Sequence, residues 1–399
     1  MLHDPARHEP LRDEPWDAAR ARAAIATIVD RTAAEFVPEV GWRMHPQDEP
    51  QKPDDTNPSL YYGATGVLWA LRYLREAGVA AARDEPVLST GWLLAATQRW
   101  LAHEHAKERH SYLMGETPIL MLAPAGGQEA DALEQGLVAL MDHPALEQMW
   151  GSPGALLAAW HLHVRTGDER WAALYRRIAA RLESQLVRPD EQGRVYWVQD
   201  LYGSKLAFLD AVHGFVATAH ALIAGRSLLP DWPAWSRRIA GTIAASAIRE
   251  DGAATWPVIV PGSPGDRPMT KKLMQHCHGA PGFVTCLGGF PGPELDTLLL
   301  EGGEATWRAG PLAKGSNLCH GTGGNGYVFL KLFARTQDEQ WLTRARAFAM
   351  HAISQFEADT ERVGFTRASL WTGDPGLAVY LWDCIRAVPA FPTLDVFDA

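Results

Sequence analysis

The chain has 399 residues, 47% of them hydrophobic, enough apolar material for one large domain or two or three ordinary ones. Its 37 basic and 47 acidic residues give a formal charge of -10 that is spread along the chain. Without a clustered basic face, nucleic acid is excluded as the main partner.

The charged, proline-broken start from Met1 to Pro10 lacks the apolar core of a signal peptide, and no later run is long enough to span a membrane. These features predict a cytoplasmic protein. The four cysteines, Cys277, Cys286, Cys319 and Cys384, are too few for a disulfide scaffold of this size, so they are expected as thiols open to metal. The 16 tryptophans follow no pattern that the sequence explains.

In chain order, residues 1–15 read as a loose arm, Trp16 to Phe36 as an alanine-rich helix with a charged face, and the proline-rich residues 37–60 as a long loop or lid. From Tyr61 onward a Gly-x-x-Gly step followed by an apolar run recurs. The steps begin at Gly63, Gly115, Gly151, Gly214, Gly279, Gly321 and Gly373, with degenerate second positions at Pro118 and Ala217. Seven copies make a repeat, and spacings from 36 to 65 residues mean variable insertions. Uniformly apolar runs such as Val67 to Leu71 predict buried helices that start at the glycine step.

Between these runs lie one-sided helices. Trp171, Leu174, Tyr175, Ile178 and Leu182 form one apolar stripe, and Trp341, Ala345, Phe348 and Ala352 form another. The expected fold is therefore all-α: a ring of seven inner and seven outer helices, with every inner N-terminus at one end. Residues 1–60 would lead into a single domain over 61–399. Residues 251–275 read as a long insertion with room for a short strand pair.

Aligned on their first glycines, the seven steps are preceded by Tyr62, Met114, Trp150, His213, His278, His320 and Thr372. Three consecutive repeats thus place histidine there, and one residue earlier two of them carry cysteine, Cys277 and Cys319. A lone buried cysteine is usually a small hydrophobe, the reading given to Cys286 and Cys384. Two Cys-His-Gly triplets in register have no packing explanation and point to zinc, held by both cysteines and by either His278 or His320. Three ligands would leave an open, catalytic position and four would close the site. Helix N-termini would further favour thiolate. His213, without a cysteine before it, suits an acid/base role. Glu147, four residues before Gly151, could orient that base, and Lys314, Lys271 and Lys272 could meet a substrate carboxylate. Asp374 reads as a helix cap.

The wording Gln-His-Cys277-His278-Gly279-Ala-Pro-Gly282 and Asn-Leu-Cys319-His320-Gly321-Thr-Gly-Gly-Asn-Gly-Tyr, with Ala-Val-His213-Gly214, resembles the lanthionine synthetase C family, and within it the LanC-like branch. The resemblance covers residues 60 to 385 approximately. It implies an α/α toroid with one catalytic zinc at its mouth, held by Cys277, Cys319 and His320. It further implies that His278 stands near the metal without binding it, that His213 protonates an enolate, and that Lys314 contacts glutathione. Glu147 stands where the peptide cyclases have aspartate, and Leu273 where they have an arginine. The implied activity is addition of a thiol, from glutathione or a peptide cysteine, to dehydroalanine or dehydrobutyrine, giving a thioether. The rival reading is a non-catalytic scaffold that binds zinc and glutathione. A toroidal glycosidase would need two carboxylates at the inner-helix ends, and only Glu147 offers itself.

Overall fold

The recurring glycine steps are helix starts. In a computed structural model that describes residues 1–52, 55–82, 84–102, 108–123, 127–267 and 272–398, Gly63, Gly151, Gly214, Gly279, Gly321 and Gly373 each occupy the N-cap of a helix. At the degenerate step the cap is Glu116 instead of Gly115. Lys271 lies outside the described residues.

In chain order the helices are α1 (Ala18–Ala34), α2 (Ala64–Glu76), α3 (Thr90–Leu101), α4 (Thr117–Leu122), α5 (Gly127–Ala139), α6 (Ser152–Thr166) and α7 (Glu169–Ser184). They continue with α8 (Phe215–Ala224), α9 (Trp232–Ser246), α10 (Ala280–Leu287), α11 (Asp296–Ala309), α12 (Thr322–Thr336), α13 (Glu339–Val363) and α14 (Asp374–Arg386). The even-numbered helices follow the glycine steps and are almost wholly buried; every residue of α10 is. The odd-numbered ones bury one face, as α7 does with the predicted stripe from Trp171 to Leu182. No helix among the described residues is long and apolar enough to cross a membrane.

The two sets start differently. Outer helices carry side-chain caps, Asp17, Ser89, Asp168, Asp231 and Asp338, each accepting from a first-turn N–H. Inner helices use their own preceding backbone. Phe215, Val216 and Ala217 donate to the carbonyls of Phe208, Leu209 and Asp210, and Thr322, Gly323 and Gly324 to those of Gly315, Ser316 and Asn317. The chain thus doubles back across the first helical turn, which is why glycine is required: a Cβ on Gly151 would lie 1.6 Å from the Ala145 carbonyl oxygen. At Gly279 the backbone also sits at φ +95°, a region L side chains rarely enter.

The first-turn N–H groups of α8 and α12 are taken by backbone carbonyls, and at α10 Ala280 donates to the Thr255 hydroxyl.

The described chain forms two compact units. The first comprises Met1–Asp4, His110–Tyr112 and Ala125–Ala309 and holds α5 to α11; the second comprises Pro5–Arg109, Leu113–Pro124 and Gly310–Ala399 and holds the other helices. In the first, α8 packs against both α6 and α10, and Gln148 N–H donates to the Val212 carbonyl at 3.3 Å, tying adjacent turns together. In the second, Cys319 N–H donates to Trp371 O (2.8 Å), Trp371 N–H to Tyr61 O (3.2 Å) and Tyr61 N–H to Leu113 O (3.1 Å). The last repeat therefore adjoins the first, and α1 packs on α14. Core contacts such as Phe329 against Phe348, ring centroids 5.0 Å apart, bind α12 to α13. Each such fully buried side chain contributes about 1.5–3 kcal/mol.

Three local features differ from expectation. From Pro5 onward the N-terminal arm is docked within the second unit: His8 bridges to Leu312, and Glu9 meets His351 Nε2 at 2.6 Å and Gln355 Nε2 at 2.7 Å. Among the described residues two hairpins occur, β1 (Gln199–Leu201) with β2 (Ser204–Leu206), and β3 (Ile248–Glu250) with β4 (Ala253–Thr255). Only β4 falls inside the insertion read as carrying a strand pair. The tight turns at Tyr202-Gly203 and Asp251-Gly252 have both φ values positive, the geometry that matches hairpin twist. Asp374 is the first residue of α14 rather than its cap, and its carboxylate accepts from Arg367 N–H at 2.8 Å.

Three of the 16 tryptophans share one role. The indole N–H groups of Trp42, Trp197 and Trp256 donate to the carbonyls of Thr32, Leu182 and Ile243, in the last turns of α1, α7 and α9. Carbonyls in a helix's last turn lack the usual i+4 N–H inside the helix, although Leu182 also accepts from Gln185 N–H at 3.1 Å, and a large apolar ring with one donor can bury beside them.

Candidate active site at the glycine turns

Within each turn, the fourth residue before the glycine is polar: Ser59, Ser111, Glu147, Asp210, Gln275, Asn317 and Ser369. Several of these side chains hold the turn shut. Ser59 accepts from Tyr62 N–H, Glu147 from Met149 and Trp150 N–H, Asp210 from Val212 and His213 N–H, and Asn317 from His320 N–H. At two of the seven positions the residue is a carboxylate, and there it does a second thing.

Glu147 is fully buried, and its Oε2 lies 2.8 Å from His213 Nδ1, in the next repeat. Burial opposes charge on His213, but the Glu147 hydrogen bond and the charges of Glu147, Asp210 and Cys277 outweigh it and raise its pKa to about 9. His213 is thus an imidazolium at neutral pH, with Nε2–H left over to donate. One step further along, the equally buried Asp210 places Oδ2 3.1 Å from His278 Nδ1, again in the next repeat. Burial again disfavours the charged ring, yet Cys277 and Asp210 raise the His278 pKa to about 9. Asp210 itself is held below its ordinary value, because His278 and His213 overcome the cost of burying it. Glu147, His213, Asp210, His278 and Cys277 all belong to the first unit.

Cys319, His320 and Lys314 belong to the second. His320 occupies the same repeat position as His213 and His278 but has the opposite electrostatics. Burial, with Arg367, Lys314 and Arg7 nearby and only Asp48 opposing them, lowers its pKa to about 4. The Arg367 guanidinium is itself held by Asp48 and Gln47, which anchors the 37–60 loop on the turn before α14. Lys314 is exposed. Lys272 is also exposed, and its Nζ donates to the Met1 carbonyl at 2.7 Å.

All four cysteines are buried and none is in a disulfide. Cys286 and Cys384 are packed in α10 and α14, and burial pushes the Cys384 thiol pKa well up. Cys277 and Cys319 receive hydrogen bonds at sulfur, from Gln275 Nε2 at 2.9 Å and from the Tyr61 hydroxyl at 2.6 Å. Among the described residues no group of three or more His, Cys, Asp or Glu side chains is arranged to hold a metal ion. Taken singly, the expected ligands suit zinc: two sulfurs with donors that favour thiolate, and one imidazole kept neutral.

Sequence reasoning missed Asp210, Gln275, Tyr61 and Arg367. The first two were legible in the column four residues before each glycine, where side chains that close the turn collect. Tyr61 sits two residues before Gly63, the column that gives Cys277 and Cys319. Asp210 also supplies the second carboxylate that a glycosidase would need, but both carboxylates are fully buried and engaged by imidazole and backbone N–H groups. That reading gains nothing.

A sequence profile described as "Lanthionine synthetase C-like protein" matches residues 146–396, more than half of the chain. A relative from Danio rerio, "Glutathione S-transferase LANCL1", is 36% identical over 129 residues, covering 31% of this chain and 32% of its own length. The Arabidopsis thaliana "LanC-like protein GCL1" is 37% identical over 95 residues, covering 23% of this chain and 21% of its own. The matched segment thus spans about a third or less of these curated relatives. Among solved structures, "Nisin cyclase" superimposes with a TM-score of 0.57 at 14% identity, covering 92% of this chain and 93% of the other. At that identity the likeness is one of fold, and the fold is the α/α toroid. The chain belongs to the lanthionine synthetase C-like family.

Proposed function

We propose that this chain adds a thiol, from glutathione or a peptide cysteine, to dehydroalanine or dehydrobutyrine residues and so forms a thioether. One observation carries the reading: a buried carboxylate holds His213 as an imidazolium whose electrostatic neighbours include Cys277. A conjugate addition needs a thiolate at the β-carbon and an acid for the α-carbon, and here the acid is supplied. In this proposal Cys277, Cys319 and His320 would hold zinc, which when bound lowers the pKa of a substrate thiol so that thiolate is available at neutral pH. As the C–S bond forms, the C=C π pair moves onto the α-carbon and carbonyl, and His213 Nε2 delivers its proton to the α-carbon. Glu147 holds the ring and stabilises its charge throughout. The exposed Lys314 and Lys272 supply positive charge for substrate carboxylates. The name of the zebrafish relative supports glutathione as the thiol.

The test is direct. Purified protein loaded with zinc is incubated with a dehydroalanine peptide and glutathione, and the peptide is weighed by mass spectrometry. Gain of one glutathione per dehydroalanine is expected. No gain, alongside loss of free thiols in a dehydrated peptide carrying its own cysteines, would shift the substrate to an intramolecular cysteine. Neither change would leave the scaffold reading in its place.

A further inference from the structure

Residues 37–60 fold back on themselves through bridges from Val37 to Gly41 and from Arg43 to Thr56. Two cavities open against this loop, both inside the second unit, and Thr56 is a wall of each. The first, of about 340 Å³, is lined by Val37, Val40, Trp42, Arg43 and Phe365 among others. The second, of about 230 Å³, is lined by Pro58 and by Trp92, Ala96, Arg99 and Trp100 of α3. Together they make a groove with apolar walls and one arginine in each half. Most polar groups around it are already engaged. Glu35, also in the first cavity, accepts from Thr366 N–H at 3.0 Å and lies 3.7 Å from Arg31, while the indole N–H of Trp42 goes to the Thr32 carbonyl and that of Trp92 to the Glu39 carbonyl. Among the described residues neither Arg43 nor Arg99 has an ion-pair partner. Both are exposed, and the Arg43 guanidinium lies 3.4 Å from the centre of the Phe365 ring. Val37 and Val40 are 51% and 45% exposed on the same wall.

The groove borders the glycine turns of the first and last inner helices. Thr56 and Pro58 stand seven and five residues before Gly63, and Thr366 and Ala368, which also line the first cavity, stand seven and five residues before Gly373. Between that second pair, Arg367 turns to Asp48 and Gln47 and is a charge neighbour of His320. One short segment thus serves both the groove and the surroundings of a proposed zinc ligand. Resting on the proposed thiol addition, we infer that this groove seats the flank of the peptide substrate, an extended segment with apolar side chains for the two cavities and carboxylates for Arg43 and Arg99. Two shallow cavities that share a wall suit successive side chains of a peptide better than one small molecule. The chain as a whole carries a formal charge of -10 and repels acidic peptides, so the two arginines supply the complementarity locally.

Binding is read by fluorescence anisotropy with two fluorescein-labelled dehydroalanine peptides, one carrying leucine and glutamate before the dehydroalanine and the other glutamine in place of each glutamate. Wild-type protein is expected to bind the acidic peptide about tenfold more tightly. Arg43→Gln and Arg99→Gln should each weaken that binding about twofold to fivefold and the double variant about tenfold. Val40→Glu, at an exposed position, should weaken it about twofold to fivefold by repulsion. Arg177→Gln removes the same charge from an exposed site on α7, in the first unit, and should bind as the wild type does. Melting temperatures confirm that each variant is folded. The inference is overturned if wild type binds the two peptides equally or not at all, if the double variant stays within about twofold of wild type, or if Arg177→Gln weakens binding as much as Arg43→Gln does. Wild type that binds neither peptide but dimerises with rising concentration, an association lost in Val40→Glu, would assign the groove to a second copy and overturn the inference too. Binding as expected without any thiol addition overturns the proposed function and leaves an acidic-peptide site, whereas addition to both peptides with equal KM overturns the inference alone.

Discussion

His213 and His320 stand at the same position of the same repeated turn, and their surroundings act on them in opposite ways. His213 faces a buried carboxylate and has its pKa raised to about 9; His320 has three cations near it and its pKa lowered to about 4. The difference comes from the charges that other segments bring to each ring: Glu147 and Asp210 act on His213, whereas Arg367, Lys314 and Arg7 surround His320. The residue of its own turn four places before the glycine caps each histidine's N–H, Asp210 for His213 and the neutral Asn317 for His320. The proposed roles of proton donor and metal ligand need opposite protonation states, and the two surroundings push in those opposite directions.

The comparison breaks most severely at the cysteine beside His320. Replacing Cys319 with alanine is expected to remove zinc, read by elemental analysis, and to lower kcat by about 10³-fold or more; full activity without zinc would refute the ligand assignment. Replacing His213 with glutamine should leave zinc bound while lowering kcat by about 10²–10⁴-fold, the usual worth of a positioned acid.

The Glu147→Gln variant sharpens the comparison through pH. In the wild type the acid form of His213 persists until pH passes about 9, so kcat should fall above that point. The stability contributed by the charged pair is present below the ordinary histidine value of 6.5 and lost as pH rises through about 9. With glutamine in place, the falling limb of the kcat profile should move to lower pH, with a loss of about tenfold at pH 8. An unmoved limb would mean that another group donates the proton. The smallest effect is expected for the exposed Lys314: its replacement by alanine should raise KM for glutathione by about threefold to tenfold, with kcat unchanged, and an unaltered KM would remove it from the thiol site.

How much was legible depends on which interactions are local. Six of the seven inner-helix starts were written in the sequence at the glycine itself, because a chain that doubles back over its own helical turn leaves no room for a Cβ there, while α4 starts one residue later at Glu116. The all-α alternation followed from the same periodicities. The candidate ligands were legible as a register, Cys277-His278-Gly279 against Cys319-His320-Gly321. The docked N-terminal arm was not, because His8 meets Leu312 and Glu9 meets His351 across more than 300 residues.

The sequence by itself determined where the inner helices begin, which residues before each glycine are soft or basic, and that Glu147 lies at the same end as His213. Only the tertiary structure decided that Glu147 touches His213, that Asp210 lies beside His278, and that burial and nearby cations lower the His320 pKa. The physical reason is that protonation is set by burial and by charges arriving from other segments, and neither is visible in the spacing of residues along the chain.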